Sequence, residues 1–157
     1  MTLNEAFQVM DAEAMNKLNL GEVVLASPDL DPDLFQRTYR RLQTRGATST
    51  VYAASSDWAL WSSSWLKDRP QLGYIPADGP KRIVPGSDLI DITAVNADIF
   101  SLNHDLYANS PAVINDLRRL MKEAQRPPEA RTVEFKKLSV EAGEYWRYEM
   151  PVPASKP

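Results

Sequence analysis

Two side chains nearly fifty residues apart could share acid–base chemistry: Asp57 and His104, the only histidine in the 157-residue chain. A carboxylate that orients an imidazole makes it a base for a nearby hydroxyl. Each residue follows a stretch that reads as a strand. The β-branched and aromatic run over 48–53 stops at small polar residues and delivers Asp57 where a helix carrying Trp58 can begin. A second run over 88–95, Asp-Leu-Ile-Asp-Ile-Thr-Ala-Val, leads into a loop that carries His104, before a helix starting near Ser110. In a parallel sheet the carboxyl ends of neighbouring strands open on one crevice, so Asp57 and His104 are expected to meet there.

The remaining elements are those needed to position this pair. Leu3, Phe7, Met10 and Ala14 recur at helical spacing and predict an amphipathic helix over 3–16. Residues 21–26 form a short, almost continuously apolar strand, as a buried parallel position requires. Asp31 and Pro32 read as the cap and first residue of a helix buried through Leu34, Phe35, Thr38, Tyr39 and Leu42 and closed by Gly46. Trp58, Trp61 and Trp65 form one helical stripe, read as core packing rather than as a ligand-stacking surface. Residues 67–87 are rich in proline and glycine and predict an irregular excursion. A helix from Ser110-Pro111 should bury Val113, Ile114, Leu117, Leu120 and Met121. Beyond Pro127-Pro128, residues 131–138 and 144–150 suggest a hairpin, with a disordered tail over 151–157.

Strands alternating with helices imply an α/β fold: a three-layer sandwich with a short parallel sheet, plus a C-terminal β-hairpin. A single domain is expected, with a core over 1–125 and a hairpin extension over 126–150. The net charge of -3 and the scattered basic residues argue against nucleic acid. There is no cysteine, hence no disulfide, thiolate metal site or cysteine nucleophile. No apolar run spans a bilayer and no signal-peptide pattern precedes the first helix, so a cytoplasmic protein with no membrane partner is expected. No cofactor is indicated. Asp29, Asp31 and Asp33 could ligate a metal through oxygen, but helix capping and solvation explain them more simply.

Several short motifs occur in the order found in one superfamily: Gly21-Glu-Val-Val-Leu-Ala-Ser-Pro-Asp-Leu-Asp31, Thr50-Val-Tyr-Ala-Ala-Ser-Ser-Asp-Trp-Ala-Leu60, Pro70-Gln-Leu-Gly73, Ile90-Asp-Ile92 and His104. Over residues 3–125 the chain resembles the C-terminal half of an alpha/beta hydrolase, within an uncharacterised bacterial group of esterase-like proteins. The resemblance implies that Asp57 is the triad acid and His104 the triad base, with Asp29 or Asp31 as rival acids. That family's nucleophile is a serine on a sharp turn, usually within G-x-S-x-G, where small neighbours permit the strained backbone. Here no two of the six glycines lie four apart. By the same resemblance the helix over 2–16 corresponds to the one after the nucleophile, so the chain is expected to be truncated just past that serine.

A base with nothing to deprotonate is not a hydrolase. Ser27, Ser55, Ser56 and Ser101 lie near strand ends as substitute nucleophiles, although capping or local bonding suits each better. The expectation is therefore a hydrolase-like protein without independent activity, acting as a binding module with a possible small-molecule ligand. The alternative is an esterase whose nucleophile comes from a partner chain or one of these serines. Half a parallel sheet leaves an uncovered edge, which implies a homodimer or higher oligomer built by sheet continuation.

Overall fold

The computed structural model describes residues 13, 17–55, 70–96 and 110–150. Asp57, His104, the tryptophan stripe, the tail and nearly all of the expected helix over 3–16 lie outside the described residues. The described elements in chain order are β1 (Glu22–Ala26), α1 (Pro32–Gln43), β2 (Thr48–Ala53), β3 (Ser87–Asp91), α2 (Thr93–Asn96), α3 (Pro111–Glu123), α4 (Pro128–Arg131), β4 (Phe135–Val140) and β5 (Gly143–Tyr148).

One five-stranded sheet runs in the order β1-β2-β3-β5-β4. β1, β2, β3 and β5 are parallel, and β4 returns antiparallel to β5 at the edge. Period-two alternation divides the strands between two cores. Val23, Val51 and Leu89 face Phe35, Tyr39 and Leu42 of α1 on one side. Tyr52 and Ile90 face Val113 of α3, with Trp146 and Tyr148, on the other. Helix, sheet and helix thus make the three layers that the alternation of elements implied.

Local chemistry sets the helix starts. The Asp31 carboxylate accepts from Leu34 N–H at 2.9 Å, and Pro32 supplies a preset φ where no N–H is needed. Ser110 and Pro111 open α3 in the same way, with Ser110 Oγ accepting from Val113 N–H at 3.4 Å.

Three expectations need correction. The strand read over 88–95 ends at Asp91, and Thr93–Asn96 turn into helix, because the Asp91 side chain bonds Thr93 and starts a turn. On α3, Ile114 is 44% and Met121 78% exposed; the buried stripe is Val113, Asp116 and Leu120. An apolar count at helical spacing missed that Asp116 points inward to a guanidinium. The first hairpin strand begins at Phe135 rather than residue 131: Arg131 closes the short helix α4 fully buried, and Val133 is 82% exposed. The expected hairpin is present and extends the sheet itself. β5 pairs with β3, inserting both hairpin strands into the main sheet. Its two-residue turn ends at Gly143, whose φ of 132° a side chain would strain.

Candidate active site at the carboxyl ends of the strands

The parallel register brings the carboxyl ends of three strands side by side. Ala53 of β2 lies opposite Asp91 of β3, and Asp91 opposite Arg147 of β5. The segment that contains Asp57 leaves β2 after Ala53, and the one that contains His104 leaves β3 after Asp91.

Around these exits the described side chains are tied together. Asp91 is 2% exposed, so its charge must be met inside the protein. Its Oδ2 accepts from Arg147 Nε at 2.8 Å, and its Oδ1 accepts from Thr93 N–H at 3.0 Å and from Thr93 Oγ1 at 2.5 Å. Thr93 Oγ1 in turn accepts from the Ser55 N–H at 2.8 Å. The bond to Asp91 pushes the Arg147 guanidinium above its already high ordinary pKa, against a smaller desolvation effect. Arg147 Nη2 also donates to the Tyr145 hydroxyl at 2.9 Å, and the guanidinium lies over that ring.

Residues 71–75 cross the carboxyl ends of β1 and β2. Gly73 N–H donates to Pro28 C=O at 3.0 Å, and Gly73 C=O accepts from Ala54 N–H at 3.2 Å. A Cβ on Gly73 would lie 2.5 Å from the Ser27 carbonyl carbon, so this approach excludes any side chain. Ser27 itself has φ 40°, a left-handed backbone uncommon for serine, at the end of β1. The neighbouring aspartates have separate partners: Asp29 accepts from Gln71 Nε2, Asp31 caps α1, and Asp33 pairs with Arg82.

The chain is matched over residues 2–123 by the family described as alpha/beta hydrolase of unknown function (DUF900). It belongs to that family. Comparison with curated proteins and with solved structures gives no match. The DUF900 match stops at the end of α3, so the hairpin that supplies Arg147 to the carboxyl edge lies beyond the matched residues.

Of the residues singled out from sequence, Ser27, Ser55, Asp29 and Asp31 are placed near the carboxyl ends, while Asp57, His104, Ser56 and Ser101 lie outside the described residues. Sequence reasoning passed over Asp91, Thr93 and Arg147. Asp91 alternates with apolar neighbours in Leu-Ile-Asp-Ile, and a carboxylate inside a buried strand was the available signal.

A second ionic group sits at the opposite, amino ends of the strands. Arg126, just after α3, bridges Glu22 of β1 and Asp88 of β3. Arg131 donates to Asp116 through Nε at 2.6 Å, and Tyr52 donates its hydroxyl to the same carboxylate. Burial, reinforced by Asp116, pushes the Tyr52 hydroxyl far above its ordinary pKa, so it stays a neutral donor. Desolvation raises Asp88 despite the opposing pull of Arg126 and Arg131. Lying away from the crevice, these groups hold α3 and the chain after it against the sheet.

Among the described residues there is also an open groove of about 320 Å³ on the outer side of α1, lined by Asp33, Gln36, Arg37, Arg40 and Arg82. No helix among the described residues is long and apolar enough to cross a membrane.

Proposed function

We propose that this DUF900 chain is an alpha/beta-hydrolase-type module that keeps an acid–base pair, Asp57 and His104, without independent esterase activity. Support for the pair comes from one observation: β2 and β3 are adjacent and in parallel register up to Ala53 and Asp91, so both segments start from neighbouring positions. Support for inactivity comes from chemistry. Nothing in the 157 residues has the G-x-S-x-G pattern that carries the serine nucleophile of alpha/beta hydrolases, and an acid–base pair needs a nucleophile to transfer an acyl group. The module then serves to bind, and the three arginines around the α1 groove suit a small anionic ligand.

The second reading is an active esterase with a substitute serine, favoured by the φ of 40° at Ser27. Strain at a strand's carboxyl end is where a nucleophile elbow places its serine. Hydrolysis of short-chain nitrophenyl esters separates the two. The binding reading expects no turnover above the uncatalysed rate. Turnover lost in both His104→Ala and Ser27→Ala would establish the esterase instead, with Ser27 as its nucleophile; loss in His104→Ala alone would point to another serine or to one from a partner.

We also propose self-association through β1. Among the described residues β1 pairs on one side only, and its sequence Glu-Val-Val-Leu-Ala carries no lysine. The other edge strand, β4, exposes Lys136 and Lys137, the usual guard against pairing.

A further inference from the structure

The proline-rich chain over 70–86 is fastened to α1 at two points. Tyr39 donates its hydroxyl to Gly86 C=O at 2.8 Å, and Arg82 Nη2 donates to Asp33 Oδ1 at 2.5 Å and to Gln36 Oε1 at 3.2 Å. The second fastening leaves α1 with unbalanced charge. Asp33 stands four residues before Arg37, the spacing at which a helix pairs opposite charges, yet its carboxylate goes to Arg82. No acidic residue lies three or four positions from Arg40. Among the described residues, neither Arg37 nor Arg40 forms an ion pair with a carboxylate. Both are exposed, and they stand three residues apart, where like charges repel. The helix dipole accounts for Arg40, in the last turn of α1, but not for Arg37, nearly a turn earlier.

We propose that the α1 groove binds a small organic phosphate, a soluble phosphate monoester. This rests on the small-anion reading of the groove above and names the class of its ligand. Three guanidinium groups against one carboxylate give the lining a surplus of two positive charges, on a chain whose net charge is -3. A phosphate monoester carries a charge of about -1.5 to -2 at neutral pH and offsets that surplus, whereas a single carboxylate leaves half of it unmet. The donors fit as well. Each guanidinium presents a planar fork of N–H groups that meets phosphate oxygens in pairs. Arg82 is held through Nη2 alone, so its Nε and Nη1 remain as donors on a half-exposed side chain already fixed in place. Accepting from Arg82 through Oε1 also orients the Gln36 amide and leaves its NH2 as a further donor. At about 320 Å³ the groove has room for more than the phosphate group, and its wholly polar lining suits a hydroxylated body rather than an apolar one.

The test is isothermal titration calorimetry of the full chain at low salt, where exposed charges are least screened. Ribose 5-phosphate is expected to bind one to one, at least as tightly as inorganic phosphate and more tightly than the dicarboxylate succinate, while ribose does not bind. Arg37→Gln and Arg40→Gln, both at exposed positions that folding does not need, should each weaken ribose 5-phosphate by about tenfold or more, because each removes a charge-assisted contact. Lys136→Gln removes the same charge from exposed β4 and should leave the affinity unchanged. Wild-type affinity in both arginine variants, or equal weakening by Lys136→Gln, overturns the site. Succinate bound as tightly as the phosphates keeps the small-anion reading and overturns the phosphate class. Inorganic phosphate bound more tightly than the ester overturns the ester. A phosphoserine peptide bound about tenfold more tightly than ribose 5-phosphate makes the ligand a protein segment and overturns the small molecule. No binding by any of these anions removes the small-anion reading itself, and the phosphate with it.

Discussion

Among the described residues, two groups of buried charges stand at opposite ends of the sheet, and each reports a different physical balance. At the amino ends of the strands, three carboxylates, Glu22, Asp88 and Asp116, face two guanidinium groups, Arg126 and Arg131. Burial is the largest influence on Asp88 and raises its pKa although two arginines oppose it, with Glu22 adding a smaller push in the same direction. The sign of the consequence is the reverse of the usual aspartate. Between the ordinary carboxylate value and the raised folded one, the native state holds more protons than the unfolded chain, so Asp88 contributes stability at low pH that is lost as pH rises through that window. Urea unfolding of the protein and of Asp88→Asn at a series of pH values is expected to show the wild type losing ground to the variant across this range and running parallel above it. The opposite slope would mean that the arginines, not burial, control Asp88. At the carboxyl ends the account closes: one buried carboxylate, Asp91, meets one guanidinium and a hydroxyl. The pairings between distant elements could not be read from the chain, since Arg126 reaches Glu22 across more than a hundred residues and Arg147 reaches Asp91 across more than fifty.

Among the elements, the hairpin changes most in meaning between sequence and structure. Its existence was legible, because two β-rich stretches flank Glu141-Ala-Gly143 and the register pairs Leu138 with Tyr145 and Phe135 with Tyr148. Its place was not: parallel pairing of β5 with β3 involves residues more than fifty apart, and no periodicity encodes a partner at that distance. Trp146 shows the energetic result. It is 7% exposed in the core on the α3 side and donates its indole N–H to Glu129. Trp146→Ala is expected to cost about 3–5 kcal/mol in denaturant unfolding, the range for a buried large aromatic. A loss near zero would mean that the hairpin can detach from the core. On α3 the error ran the other way, for Ile114 and Met121 are apolar yet face water, while Asp116 is inside because Arg131 and Tyr52 await it.

For the whole molecule, the sheet's two edges predict its association. β4 displays lysines, whereas β1 offers a short apolar edge, so a dimer formed through β1 is expected by light scattering at micromolar concentration. Ala26→Lys, at an exposed position on that edge, should weaken the dimer about tenfold or more; a wild type that is monomeric throughout ends the proposal. Sequence alone determined the α/β class, the strands β1 and β2, the caps of α1 and α3 and the alpha/beta-hydrolase membership, because these depend on short-range patterns: alternation, capping side chains, and motifs in order. The tertiary structure alone decided that the hairpin continues the sheet, that α3 buries an aspartate, and that Arg147, Asp91, Thr93 and Ser55 form one line across the carboxyl ends. Those depend on which distant strands become neighbours, and a buried charge can be recognised as satisfied only when the group that satisfies it is in place.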